Sequence, residues 1–156
     1  MSNTNHTPET NEPLLQGGCL CGAVSYQITN QFSRFMLCHC QQCQQLTGSA
    51  FAANIFTSPK NIEWLTGQEK ISHYRHRSRD STRSFCAVCS CALPYINQNG
   101  KSLIIPAGSL SEQVENTPVA NMFEGEQASW LVESFLNPSV QFAVVPNPLS
   151  NKGISL

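Results

Sequence analysis

Residues 17–26 read GGCLCGAVSY, and the reading of the two cysteines in this run decides how the chain folds. Cys19 and Cys21 stand one residue apart in a stretch that alternates small or apolar with polar residues and carries Val24, Tyr26 and Ile28. That texture predicts a half-buried strand beginning near Leu20, with Gly17 and Gly18 framing a turn. Two thiols on so short a run make half of a ligand set. The other half stands far along the chain, at Cys86-Ala87-Val88-Cys89, where a two-residue gap lets a tight turn bring both sulfurs to one tetrahedral centre. Joining the two pairs closes a long loop and fastens the N-terminal part of the chain to a later hairpin. Cys19, Cys21, Cys86 and Cys89 are therefore expected to form a structural metal site.

Between these pairs lies a tighter group, Cys38-His39-Cys40-Gln41-Gln42-Cys43. Three protein ligands with a fourth position open is the arrangement of a catalytic zinc, whereas a four-thiolate site leaves no place for a substrate. Cys38, Cys40 and Cys43 are the candidate reactive ligands. His39 is a weaker candidate for a fourth, because the residues on both sides of it already turn toward the metal. Cys91, one residue past a complete pair, reads as a small buried hydrophobe. Thiolate-rich sites favour zinc, with iron the competitor, so the expectation is two zinc ions per chain.

The rest of the composition agrees with a small β protein. The chain has 156 residues, enough for one core, and charged residues make up only 12%, about half the usual share. Nine prolines and nine glycines favour short strands and turns over long helices. A net charge of −1 gives no general attraction to nucleic acid or anionic membrane, and no run is long and apolar enough to span a bilayer. The first residues have neither the basic nor the apolar region of a signal peptide, so a cytoplasmic location is expected. A reducing compartment keeps eight cysteines available for metal or catalysis rather than for disulfides.

Residues 1–16 read as a flexible polar tail, 17–146 as one zinc-binding domain and 147–156 as a loose end. Strand candidates are FMLCHC, SAFAANIFT, IEWLT, ISHYRH, TRSFC, LPYI, SLIIPAG, VANMF and VQFAVV, separated by Pro, Gly, Asn and Ser. QQCQQLTGS permits a helix of one or two turns stopped at Thr47-Gly48. The predicted class is mainly β, mostly antiparallel, with little helix.

The series GGCLCGAVSY, CHCQQCQQLTGSAF and SFCAVCSCALPY, with weaker echoes at IIPAGSL and QASW, resembles the glutathione-dependent formaldehyde-activating enzymes, whose domain is shared with centromere protein V. The resemblance runs from Gly17 to about Pro146. It implies an Mss4-like fold of short antiparallel strands and two zinc sites, a structural one at Cys19, Cys21, Cys86 and Cys89 and a catalytic one at Cys38, Cys40 and Cys43. It also implies carbon–sulfur lyase chemistry, the condensation of glutathione with formaldehyde to S-hydroxymethylglutathione. The chain departs from the family pattern at four places. Gln44 stands where a basic residue is common, Ser90 where glycine is usual, Cys91 where a small hydroxyl residue is usual, and Asn121 where a P-x-x-H segment has its histidine.

A zinc-bound thiol is deprotonated near neutral pH, so the open site suits a small thiol partner such as glutathione. Lys70, Arg75, Arg77, Arg79 and Arg83, against the single acid Asp80, are candidate carboxylate contacts, although alternating basic residues on a hairpin more often form a solvated face. His73 and His76 are candidate acid–base groups, and Ser49 a candidate hydrogen-bond partner of the triplet. Tyr74, Phe51, Phe56, Trp64 and Trp130 are read as packing residues. The leading expectation is an enzyme acting on a thiol adduct. A zinc-stabilised binding module, related to centromere protein V and using both ions structurally, is the alternative, and a metal store or redox sensor a third.

Overall fold

The computed structural model describes residues 13–77, 82–114 and 119–136. Among the described residues eleven short strands form three sheets. The first sheet joins β1 (Leu14–Gly18), β2 (Ser25–Thr29) and β5 (Ile62–Thr66) in the order β1-β2-β5. The second contains β3 (Arg34–Cys38), β4 (Ala52–Thr57), β9 (Tyr95–Ile96), β10 (Leu103–Pro106) and β11 (Val119–Met122), ordered β11-β3-β4-β10-β9. The third is β6 (Ile71–Arg75), β7 (Thr82–Cys86) and β8 (Ala92–Leu93). Two short helices, α1 (Gln41–Thr47) and α2 (Ser129–Leu136), complete the described elements with a few 3-10 turns. The expected mainly β class holds, and the pairings are antiparallel except that of β11 with β3, which is parallel.

The first strand differs from the sequence reading. It begins at Leu14 and ends at Gly18, so Leu14–Gln16 belong to the sheet rather than to a tail, and the cysteines sit at the tip of a hairpin instead of within a strand. The cause is the pairing of Leu15 with Ile28, both buried, which draws the preceding residues into register. At the tip, Cys19 N–H donates to Val24 O at 3.0 Å and Gly22 N–H to Cys19 O at 3.1 Å, with Gly22 at φ 73°. Residues 1–12, the strand candidate VQFAVV and the end at 147–156 lie outside the described residues.

The core is shared between sheets: Leu15, Val24, Tyr26, Ile28, Ile55, Leu93, Leu103 and Ile105 are buried together with Cys86. Tyr26 packs edge-on to Trp64 at 5.5 Å and its hydroxyl meets Ser109 Oγ at 2.7 Å. The turn between β5 and β6 closes on the cysteine hairpin at Gly67, which has φ 69° and lies so near the Ala23 carbonyl that any side chain would collide with it. The core thereby holds the tip carrying Cys19 and Cys21 against the β6–β7 hairpin.

Candidate metal centres and active site

The hairpin tip and the turn between β7 and β8 bring four thiols together. The Sγ atoms of Cys19, Cys21, Cys86 and Cys89 all lie within 4.8 Å of one another. Cys19 and Cys21 are separated by 3.5 Å, and Cys21 and Cys86 by 3.9 Å. A tetrahedral four-thiolate site with metal–sulfur bonds of about 2.3 Å has edges of about 3.8 Å, so the cluster has the dimensions of a ligand cage. Backbone amides point at the sulfurs, Val24 N–H to Cys19 at 3.2 Å and Val88 N–H to Cys86 at 3.4 Å. The second turn is closed by Ser90 N–H to Cys86 O at 2.8 Å, and Ser90 takes the left-handed backbone, φ 60°.

Without a cation these thiols compete for charge. Desolvation pushes Cys19 up, but the Val24 N–H and the neighbouring Cys21 and Cys86 thiols outweigh it and hold it below the ordinary thiol value. Backbone N–H groups of Cys21 and Cys91 bring Cys89 down to about 6. Cys21 receives a backbone N–H from Ala23, yet desolvation and the crowding of Cys19, Cys89 and Cys86 push it up to about 12. Four sulfurs so close ionise together only around a positive ion, and the donor set fits one.

The second cluster is built where β3 runs into α1. Cys38 ends the strand, Cys40 caps the helix by accepting from Cys43 N–H at 3.4 Å, and Cys43 lies in the first turn. All three Sγ atoms lie within 4.8 Å of one another, Cys38 and Cys40 at 3.6 Å. Desolvation, then the neighbouring thiols, raise Cys43 well above the ordinary range, and burial raises Cys38. This set too fits a cation, with three donors instead of four.

His39 does not join the three sulfurs. It is buried and directed elsewhere, with Nε2 at 2.9 Å from Asn121 Oδ1 and its ring edge-on to Phe51 at 5.4 Å. Because Nδ1 is buried without a partner, the tautomer that satisfies the ring carries its proton on Nε2 and donates to Asn121. Gln44, one of the departures from the family pattern, donates through its amide nitrogen to His39 O at 2.6 Å and to Glu126 O at 2.8 Å. The Glu126 carboxylate accepts from Gln41 N–H at 2.9 Å. Together these bonds clasp α1 to the 123–126 turn.

Two cavities adjoin the triplet. One, of about 380 Å³, takes in all three of its cysteines and has a mainly apolar surface, walled by Leu46, Ala52, Ala92, Tyr95, Pro106 and Phe123, with Gln42, Thr47, Asn54, Thr82 and Arg83 as polar groups. The other, of about 770 Å³, meets Cys40 and is lined by Gln41, Gln42, Gln45, Tyr74, His76 and Glu126. Phe123 borders both, half exposed, and is held at φ 57°, an uncommon backbone for a bulky residue.

Of the basic residues singled out, Arg83 reaches the triplet's cavity. Arg75 lines a separate cavity beside Trp64, Lys70 and Arg77 are exposed, and Arg79 and Asp80 lie outside the described residues. His73 bonds Ser84 Oγ at 2.8 Å, away from the triplet, whereas His76 borders the larger cavity. Ser49 lies exposed in the turn that ends α1, its N–H on Thr47 Oγ1. Phe51, Phe56 and Trp64 pack against neighbouring side chains; Tyr74, read as packing, instead lines the cavity beside Cys40, and Trp130 is exposed. Cys91 stays outside both clusters and packs against the core.

A mainly β chain with one four-cysteine cluster and one three-cysteine cluster facing a cavity defines a class of small thiolate-cluster proteins. The family model for the glutathione-dependent formaldehyde-activating enzyme matches residues 14–126, and the chain belongs to that family. A Halomonas elongata protein to which that enzyme's name is provisionally attached is 28% identical over 101 residues, covering 62% of this chain and 64% of that protein. The matched region thus spans just under two thirds of the relative. A crystal structure of a Rhodobacter sphaeroides protein has a TM-score of 0.52 at 20% identity, covering 68% of this chain and all of the other, and shares the fold.

Proposed function

We propose that the chain is a zinc-dependent enzyme of carbon–sulfur lyase type that acts on the adduct of glutathione, or a similar small thiol, with an aldehyde, S-hydroxymethylglutathione being the simplest case. The observation that carries this reading is the contrast between the clusters. Four sulfurs could complete a cage at Cys19, Cys21, Cys86 and Cys89, the site we assign as structural, while Cys38, Cys40 and Cys43 leave one side of theirs on a cavity. A zinc ion held by those three sulfurs would favour the thiolate form of an incoming thiol at its free position.

The chain's own groups do the rest. In the forward direction the substrate sulfur bonds to the carbonyl carbon, the C=O π pair moves to oxygen, and that oxygen takes the proton the thiol gave up; the reverse breaks the same C–S bond. Asn54, whose side chain shares a sheet face with Cys38, offers an amide to that oxygen. Arg83 offers a fork for a substrate carboxylate. Tyr74, His76 and Glu126 are the groups around Cys40 able to hold or pass a proton. The clasp through Gln44 fixes the wall that Phe123 forms. Among the described residues no helix is long and apolar enough to cross a membrane, and the cytosol supplies glutathione in reduced form.

Metal analysis of protein purified without chelator, followed by calorimetric titration with reduced and S-methyl glutathione, tests the proposal. Two zinc ions and clear preference for the free thiol, lost in Cys40→Ala, are expected. Equal affinity for the two ligands would remove the metal–thiol step.

A further inference from the structure

The cavity that holds the three sulfurs is out of proportion to a one-carbon substrate. Its floor and roof follow from strand register. Pairing of Cys38 with Ala52, and of Asn54 with both Met36 and Pro106, puts Cys38, Ala52, Asn54 and Pro106 on one face of the second sheet. Pairing of Phe85 with Ala92 puts Arg83 and Ala92 on one face of the third sheet. The two faces, with Leu46 and Phe123 at the sides, border a cleft of about 380 Å³ that opens to solvent. A hydroxymethyl group occupies about the volume of two water molecules, roughly 60 Å³, and would leave most of this space to be filled by water against methyl and ring carbons. A cavity of this size and lining is the kind that buries an organic group several carbons long.

Its shape depends on small residues. Ala52 and Ala92 face the space where larger apolar side chains would close it, and the surface it presents is more apolar than polar although Gln42, Thr47, Asn54, Thr82 and Arg83 also line it. The neighbouring cavity at Cys40 is instead lined with glutamines, Tyr74, His76 and Glu126, groups that suit a polar ligand. One sulfur at the triplet thus has a polar space on one side of Phe123 and an apolar space on the other.

Building on the thiol-adduct reading above, we propose that the aldehyde part of the substrate is larger and more apolar than formaldehyde, and that its carbon chain or ring lies between Ala52, Pro106 and Ala92. The polar cavity receives the thiol part. The substrate class is the hemithioacetal of a small thiol with an aliphatic or aromatic aldehyde.

Two measurements on the zinc-loaded full chain test this. The first is calorimetric binding of ethanethiol, butanethiol and hexanethiol, whose sulfurs are alike and whose chains differ. Affinity is expected to rise at least tenfold from ethanethiol to hexanethiol, and Ala92→Phe, or Leu46→Trp if that variant fails to fold, should reduce hexanethiol to the level of ethanethiol. The second compares enzyme-dependent acceleration of glutathione adduct formation with butanal and with formaldehyde, butanal being favoured at least tenfold. Equal affinity along the thiol series, or greater acceleration with formaldehyde, overturns the inference while leaving the thiol site standing. Failure to bind any thiol overturns the underlying reading and the inference with it.

Discussion

Removing one sulfur from each cluster should separate their roles, and the structure sets the size of the difference. Cys21 and Cys86 are 65 positions apart, and a metal bridging them closes that span. Constraining a loop of that length removes unfolded-chain entropy equivalent to about 4 kcal/mol at 25 °C. Cys38, at the end of β3, and Cys43, in the first turn of α1, are only five positions apart, and closing so short a segment is worth about 2 kcal/mol by the same relation. For a domain of this size each kcal/mol moves Tm by about 2–4 °C. Cys86→Ala should therefore lower Tm by about 8–16 °C, and Cys40→Ala by no more than about half of that. Cys91→Ala, outside both clusters, is the control for losing a half-buried sulfur and should cost about 1 kcal/mol. Scanning calorimetry of metal-loaded proteins, repeated after chelation, reads all three; chelated wild type, which loses both ions, should melt below metal-loaded Cys86→Ala. A triplet variant melting as low as the Cys86 variant, or a chelator without effect, would refute the division into a structural and a reactive site.

Three further outcomes follow from particular contacts. Ser109 Oγ–H donates to Pro106 O at 2.7 Å, so Tyr26 is the donor in its bond to Ser109. Tyr26→Phe then removes one bond and strands nothing that must donate, costing about 1 kcal/mol, while Ser109→Ala leaves a buried hydroxyl proton unpaired and costs about 2; urea unfolding giving the opposite order would reverse the donor assignment. Ser90→Gly should raise Tm by about 2–4 °C through relief of about 1 kcal/mol at φ 60°, and an unchanged or lower melt would mean the serine side chain supports the turn. Gln44→Ala should speed hydrogen exchange in the 123–127 turn and weaken thiol binding severalfold with a Tm loss under about 4 °C, since it unfastens one clasp at the surface; unaltered exchange would show that the Gln41–Glu126 contact suffices alone.

The partition of the cysteines was readable in advance because ligand spacing is a local property. A pair one or two residues apart can meet one centre only through a turn, and turns are encoded by the same few residues that space the ligands. The helix after Cys40 was readable for the same reason, with Gly48 at φ 63° ending it. What escaped the sequence depends on partners far along the chain. Nothing local to Leu14 and Leu15 marks a strand; they join one because Ile28 and Thr29 lie opposite. VANMF gives no sign that it will run parallel to residues 35–38, a pairing made between segments more than eighty residues apart. An aromatic on a strand usually packs, and Tyr74 becomes cavity wall through its position beside α1 residues and the 123–126 turn, which the local sequence does not show.

The departures from the family pattern acquire meaning in the same way. Asn121 lies on β11 opposite Leu37, and that register delivers its amide oxygen to His39, the residue between the first two sulfurs of the triplet. Gln44 bonds the carbonyl of that same His39 and ties it to the turn bearing Phe123 and Glu126. Both substitutions therefore bear on one point, the peptide that separates Cys38 from Cys40, and both place a neutral amide where the family pattern has an ionisable side chain. A charge beside buried His39, which also meets Phe51 and Gln127, would need compensation. Neutral amides hold the backbone of the triplet by hydrogen bonding alone, leave the three sulfurs untouched and supply no cation to the cavity beside them. Arg83, reaching in from β7 on the opposite wall, is then the fixed positive group near the triplet among the cavity's lining residues.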